Sequence, residues 1–215
     1  MHYETILKPH AVQYVAGGVS LVMDIALQFM AQFPQLRPEE QAAIGQLLQV
    51  QRFDKGTLLV AAGQVADRCF FVLEGLVRAY VLSADGKEHT LAFYAEQEGV
   101  ANFHTYTNDL PATEYLVCEE PSTLIVGTKA QEVAMYARFP KLLAITRQMM
   151  EEAFGDTQQA LAQFRQSGPE ARYRHLQATR PSLLQRVPQH QIASYLGVTP
   201  ESLSRIRRRI SQQPQ

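Results

Sequence analysis

A chain of 215 residues, 46% apolar and 19% charged, can bury one large or two small cores and lacks the bias of a disordered or fibrous sequence. Two cysteines, Cys69 and Cys118, exclude a disulfide framework and a four-cysteine metal site, and they suit a reducing cytoplasm. The net charge of -1 conceals an asymmetry: residues 168–215 carry eight arginines against two carboxylates, a balance of +6, which leaves -7 for the other 167 residues. A basic end on an acidic body points to an anionic partner such as nucleic acid or membrane, or to a solvated charged tail.

Residues 1–23 show no clear period and form an untyped N-terminal extension. The apolar stretch 11–23 is too short to span a membrane and is interrupted by Gln13, Gly17, Gly18 and Ser20. As a cleaved leader it has only Lys8 ahead of it and no small-residue cleavage site. From Asp24 the period becomes helical, with Ile25, Phe29 and Phe33 at i, i+4 and i+8 until Pro34. A second helix opens on Pro38, Glu39 and Glu40, which suits proline's fixed φ and the helix dipole.

The period then changes. "TLLVAAGQ", "RCFFVLEGLVRAYVLS", "HTLAFYA", "TEYLVCEE" and "STLIVGT" are short β-branched or aromatic runs separated by Gly-, Asp- and Pro-containing turns. That rhythm predicts a β-sandwich or jelly roll over about residues 50–128. Asp85-Gly86 between two of the runs predicts a hairpin with a type I′ turn. Cys69 and Cys118 both fall in such runs and are expected in the core.

Helical periodicity returns after Thr128, stops at Pro140 and resumes over residues 141–166. Leu142, Ile145, Met149, Ala153 and Ala160 fall mostly on one stripe with Phe164, while Met150, Phe154 and Leu161 lie beside it. Two apolar faces suit a helix that covers its own domain and pairs with a second copy; the alternative is a helix packed wholly on its own domain. Ser167-Gly168-Pro169 reads as a linker, and three short helices follow, each with a proline at or next to its start.

The last two of these carry the chemistry. In "PQHQIASYLGVTPESLSRIRRRI", Gly197 can reverse the chain, Thr199 can cap the second helix and Pro200 can open it: a helix-turn-helix. Ile192, Leu196, Val198, Leu203, Ile206 and Ile210 supply its buried side. Thr199, Glu201, Ser202, Ser204, Arg205, Arg208 and Arg209 are its candidate DNA-binding residues. An arginine near the start of such a helix pairs bidentately with guanine and a glutamate accepts from cytosine, while later arginines meet phosphates.

A β-roll, a long helix and a basic helix-turn-helix in this order resemble the catabolite-activator/Fnr (Crp/Fnr) superfamily of bacterial transcription regulators. The likeness rests on "FDKGTLLVAAGQVADRCFFVLEGLVRAYVLSADGKEHTLAFY", with glycines 56, 63 and 75 at turns, and on the helix-turn-helix, and it covers about 190 residues. It implies an α+β chain with a cyclic-nucleotide-binding-like roll and flanking helices over 24–136, a long dimerisation helix over 137–167 and a DNA-binding unit over 168–215. It also implies a cytoplasmic homodimer on a palindromic operator in double-stranded DNA, with RNA polymerase as a further candidate partner and no membrane. Its effector pocket would be lined by Gly99, Val100, Ala101, Asn102, Ala112 and Thr113.

Two departures follow. The family's cyclic-nucleotide binders hold the ribose with a glutamate and the phosphate with an arginine, but "GVANFHTYTNDLPATEYLV" has Val100–Asn102 near the first place and Ala112 at the second, and no arginine lies between Arg78 and Arg138. An unpaired buried phosphate is costly, so cAMP is not expected as a cofactor and another small-molecule effector stays open. The family places a β-hairpin wing after this helix, and with five residues after Ile210 no wing is expected here; phosphate contacts are then expected from the helices and from Arg172, Arg174 and Arg186.

Other chemistries have weaker support. His104 and Tyr106 lie near Asn102 and Asp109, a conceivable metal or catalytic group but equally plain polar surface, and the other histidines lack zinc spacing. No nucleophile elbow, phosphate loop or zinc-protease motif occurs, so the chain reads as a non-enzyme. The rival reading is a ligand-sensing or scaffold module with the same roll that does not bind DNA.

Overall fold

The computed structural model describes residues 19–212, which fall into two compact units divided between Leu47 and Leu48. Most of the untyped extension lies outside the described residues. In the first unit α1 (Val19–Met30) and α2 (Pro38–Leu47) pack on one another. The first helix begins earlier than its periodicity suggested and ends at Met30 rather than running on to Pro34. Proline disfavours helical geometry in the residue before it, and the ladder loosens into turns, Phe33 N–H to Met30 O at 3.2 Å and Leu36 N–H to Phe33 O at 3.1 Å. At the next start Glu40 accepts the Arg37 N–H at 2.8 Å, satisfying a donor that the helix leaves orphaned.

The second unit opens with eight strands: β1 (Val50–Phe53), β2 (Leu58–Val60), β3 (Arg68–Glu74), β4 (Val77–Leu82), β5 (Glu88–Tyr94), β6 (Gly99–Val100), β7 (Tyr115–Cys118) and β8 (Ser122–Thr128). They make two antiparallel sheets, ordered β1-β8-β3-β6 and β2-β7-β4-β5. Alternation puts Phe70, Val72, Val77, Ala79, Leu116 and Leu124 between the sheets, each at most 5% exposed. Cys118 joins this core, but Cys69, one residue out of phase with Phe70, is only half-buried. Its thiol donates to the Glu132 carboxylate at 3.4 Å, and burial, then Glu132, push it up to about 11, so it is no thiolate nucleophile at neutral pH.

The β4–β5 hairpin forms where expected but not by a type I′ turn. Only Gly86 has a positive φ, +79°; Gly86 N–H meets Ser83 O at 2.9 Å, and Ser83 N–H meets Lys87 O at 2.9 Å. That is a type I turn followed by a left-handed glycine, which absorbs one more residue than the two-residue loop.

Between β6 and β7 lies α3 (Phe103–Thr107); after β8 come α4 (Lys129–Arg138), with a Thr128/Gln131 capping box, and the 27-residue α5 (Pro140–Gln166). Ile145 is the one buried residue of α5, and every residue from Met150 to Gln166 is exposed. The chain then folds back through α6 (Pro169–Thr179), α7 (Leu183–Arg186), α8 (Gln189–Tyr195) and α9 (Pro200–Ser211). Among the described residues no helix is long and apolar enough to cross a membrane.

Candidate nucleic-acid interface

The last two helices are built by local chemistry. Gly197 takes φ +69°, Gly197 N–H bonds Ser194 O at 3.0 Å and Val198 N–H bonds Ala193 O at 2.9 Å, the paired closure of a Schellman motif. Thr199 then caps α9, its hydroxyl accepting the Ser202 N–H at 3.2 Å, with Pro200 in the first turn. Ala193 has no exposed surface, and beside it Ile192, Leu196, Leu203 and Ile206 are buried, so one side of α9 is fixed against α8.

The other side is open. Thr199, Glu201, Ser204, Arg205, Arg208 and Arg209 are exposed and Ser202 is half-buried. Arg205 donates to the Ser202 hydroxyl at 3.3 Å, which in turn receives the Thr199 hydroxyl at 3.1 Å, so the capping residue and the arginine are held in one line. The Glu201 carboxyl is lowered by its own backbone N–H, by Thr199 and then by Arg205, and stays ionised as an acceptor at neutral pH. Arg209 instead reaches Glu170 on α6 at 3.0 Å.

Three arginines expected on phosphates are engaged within the chain. Arg186 grips Glu96 at 2.8 Å and Glu120 at 2.6 Å; Arg174 pairs with Glu170 at 3.2 Å. Arg172 stacks on Phe164 with its guanidinium carbon 3.6 Å from the ring centroid, and donates to Leu196 O at 3.2 Å. Charge count alone does not reveal such uses, and part of the basic excess is answered by the acidic roll rather than by an outside anion.

The helical unit docks on the outer face of the β2-β7-β4-β5 sheet. Leu76 and Phe93 of the roll share a core with Tyr173, Leu183, Ile192 and Leu203, and Phe93 meets Tyr195 edge-on at 5.4 Å between centroids. β5 is a sheet edge, and α8 covers it: the Ser194 hydroxyl accepts the Thr90 N–H at 2.9 Å. No sequence signal distinguished Leu76, inside a Glu-Gly turn, or Phe93 as a joint residue.

The residues expected around an effector divide. Val100 and Ala112 are buried in the roll core, Gly99 and Thr113 are exposed, and Ala101, Asn102 and Ala112 border a void of about 10 Å³, room for one water at most. Asn102 caps α3 through the Thr105 N–H at 3.3 Å and donates to the Thr113 hydroxyl at 3.4 Å. The wall also holds Arg68 and Glu114. Arg68 comes from β3, outside the cassette, and its side chain is 53% exposed and paired with Asp67 at 3.7 Å. Burial raises the Glu114 carboxyl, opposed by the Asn102 amide. His104 is exposed, and Tyr106 turns its hydroxyl to Glu132 at 3.0 Å; among the described residues no group of His, Cys, Asp and Glu could hold a metal.

Of the expected dimer residues, Ile145 is buried within its own chain, Leu142 and Met149 are half-buried, and Ala153 and Ala160 are exposed. A second exposed row, Leu143 (49%), Met150 (44%), Phe154 (64%) and Leu161 (50%), runs along the helix roughly 160° round from Ile145 at 3.6 residues per turn.

Comparison with known proteins agrees with this architecture. Residues 50–138 match the cyclic nucleotide-binding domain family. The probable transcriptional regulator flp of Lacticaseibacillus casei is 27% identical over 192 residues, 84% of each chain. The chain is thus similar to this regulator over most of its length and to the cyclic nucleotide-binding domain family over the roll. Among solved structures, the c-di-GMP responsive global regulator CLP of Xanthomonas campestris superposes with a TM-score of 0.63 at 15% identity, covering 81% of this chain and 92% of that one. A CooA mutant from Carboxydothermus hydrogenoformans gives 0.61 at 16% identity, covering 86% and 84%. These structural likenesses show that the mixed helix-and-sheet fold is shared; flp and CLP are regulators by name.

Proposed function

We propose that this chain is a sequence-specific DNA-binding transcription regulator that works as a homodimer and is not governed by cAMP. One observation carries the reading: α9 buries Leu203 and Ile206 while it offers Glu201, Arg205 and Arg208 to solvent in a line that a packing helix has no need of. In the major groove Arg205 would pair with a guanine and Glu201 with a cytosine amino group, with Thr199, Ser202 and Ser204 beside them; Arg208 and Arg209 lie further along, toward phosphates.

Dimerisation is supported by α5. A helix whose last 17 residues are exposed on every side gains little from its own chain, whereas most helical stability in proteins comes from packing an apolar face. Pairing along Met150, Ala153, Phe154, Ala160 and Leu161 would cover its apolar row with a second copy, leaving Leu142, Ile145 and Met149 on the side nearer the chain's own core. The chain then divides into the roll and its flanking helices, the dimer helix and the DNA-binding unit. A cyclic nucleotide would require the roll to open around Val100 and Ala112, and it would bring its phosphate toward Glu114.

The competing reading, a scaffold module that binds no DNA, draws support from the internal engagement of Arg172, Arg174 and Arg186. Fluorescence anisotropy with an operator selected in vitro separates the two. Arg205→Ala is expected to weaken operator binding by about 1–3 kcal/mol and random-sequence binding far less. Equal losses on both DNAs would remove Arg205 from base reading, and no binding by the wild type at low salt would favour the scaffold.

A further inference from the structure

The DNA-binding unit is tied to the roll by polar contacts that surround the shared apolar core. Arg186, at the end of α7, makes a double fork. Its Nε and Nη2 donate to the two Glu120 oxygens at 3.3 and 2.6 Å, and Nη1 and Nη2 donate to the two Glu96 oxygens at 3.0 and 2.8 Å. Those carboxylates stand on different loops of the roll, one after β5 and one after β7, so a single guanidinium ties both loops to the helices. Arg180, the C-cap of α6, donates to Phe93 O at 3.0 Å and to Glu98 at 2.8 Å. Gln191 on α8 donates to Glu119 at 3.0 Å, and Glu119 also holds the buried Arg78.

The roll side of this contact is preformed. Glu96 also accepts the Gly75 N–H at 3.0 Å and Glu98 accepts the Ala95 N–H at 2.8 Å. Between them Gln97 holds φ +68°, a shape that a side chain keeps only where its surroundings over-determine it; here its N–H is tied to Val72 O at 2.9 Å. A forked guanidinium fixes direction as well as distance, whereas an ammonium at the same place would supply only charge.

We infer that Arg186 is a positioning residue for operator recognition: by gripping Glu96 and Glu120 it sets the angle at which the roll presents α9, and therefore the half-site spacing that a dimer accepts. It lies off the Glu201/Arg205/Arg208 face and touches no base. The inference rests on the proposed DNA-binding function, with two readouts that separate them.

The first uses full-length protein, its selected operator, the same operator with one or two base pairs inserted between half-sites, and a single half-site. Wild type should discriminate strongly against the insertions. Arg186→Gln, and to a lesser degree Arg186→Lys, should reduce that discrimination about tenfold while half-site affinity stays within about twofold. Parallel losses on all DNAs, or unchanged spacing preference, would overturn the assignment. The second readout needs no DNA. Amide exchange at Thr90, whose N–H is held by Ser194, should quicken in Arg186→Gln while the α9 amides keep their protection. If wild type selects no operator, the DNA-binding reading has failed, and unchanged Thr90 exchange then overturns the grip as well.

Discussion

Replacing Phe93 with alanine is expected to destabilise the protein by about 3–5 kcal/mol, the usual range for removing a buried aromatic side chain and leaving a cavity. The ring is 2% exposed, although it stands on the outer face of a sheet, where the alternation of β5 alone would leave it in water. It is buried because α8 and its neighbours lie on top of it, with Leu76, Leu183 and Ile192 in the same cluster and Tyr195 edge-on. Its loss therefore acts on the joint between roll and helix-turn-helix as well as on the roll. Urea unfolding followed by far-UV circular dichroism should show a lower midpoint or an early separate transition of the helical unit. Leu91→Ala, on the same strand at 48% exposure, is the control and should stay within about 0.5 kcal/mol. A Phe93→Ala loss below about 1 kcal/mol would mean that the helical unit does not rest on the sheet in solution.

Gly75→Ala should be comparably damaging for a different reason. Gly75 sits between β3 and β4 at φ +105°, and a Cβ there would lie 2.3 Å from the Ser122 hydroxyl oxygen and 2.7 Å from Ser122 Cα. The hydroxyl could rotate away, but the Cα is part of β8, and Ser122 also accepts the Leu76 N–H at 3.3 Å. Left-handed strain contributes about 1–3 kcal/mol and overpacking about 1–3 more, so a total of about 3 kcal/mol or above is expected. Gly86→Ala separates the two effects. Its φ of +79° is similar, yet nothing lies within 4 Å of the added methyl, so only the backbone cost should appear in its thermal midpoint. Equal shifts for the two variants would place Gly75 in a looser turn than the one described.

The elements that obey a local rule were legible in the chain. Short β-branched and aromatic runs broken by turn residues marked the strands of the roll, and the triplet Gly197, Thr199 and Pro200 marked the turn and start of α9 because each residue does a job its neighbours cannot. What escaped depends on contacts distant in sequence. Arg186 and Arg205 look alike in a charge count, and only the fold reveals that Glu96 and Glu120 wait for one of them. The Asp-Gly dipeptide predicted a hairpin correctly and its turn type wrongly, because loop length, decided by strand register, selects between two turns that both need Gly86. Cys69 and Cys118 share the same apolar surroundings, and one residue of phase sends the first to Glu132 and the second to the core. Around the effector region the cassette's own residues drew attention, while Arg68 arrived from a strand more than thirty residues earlier.

Operator reading by the exposed line on α9 within a dimer is tested by selection of full-length wild-type protein against random-sequence duplexes at low salt, read by sequencing. Enrichment of a two-fold symmetric sequence with half-sites about 34 Å, one helical turn, apart is the expected result. Recovery of no duplex, or of duplexes with no common sequence, would contradict it.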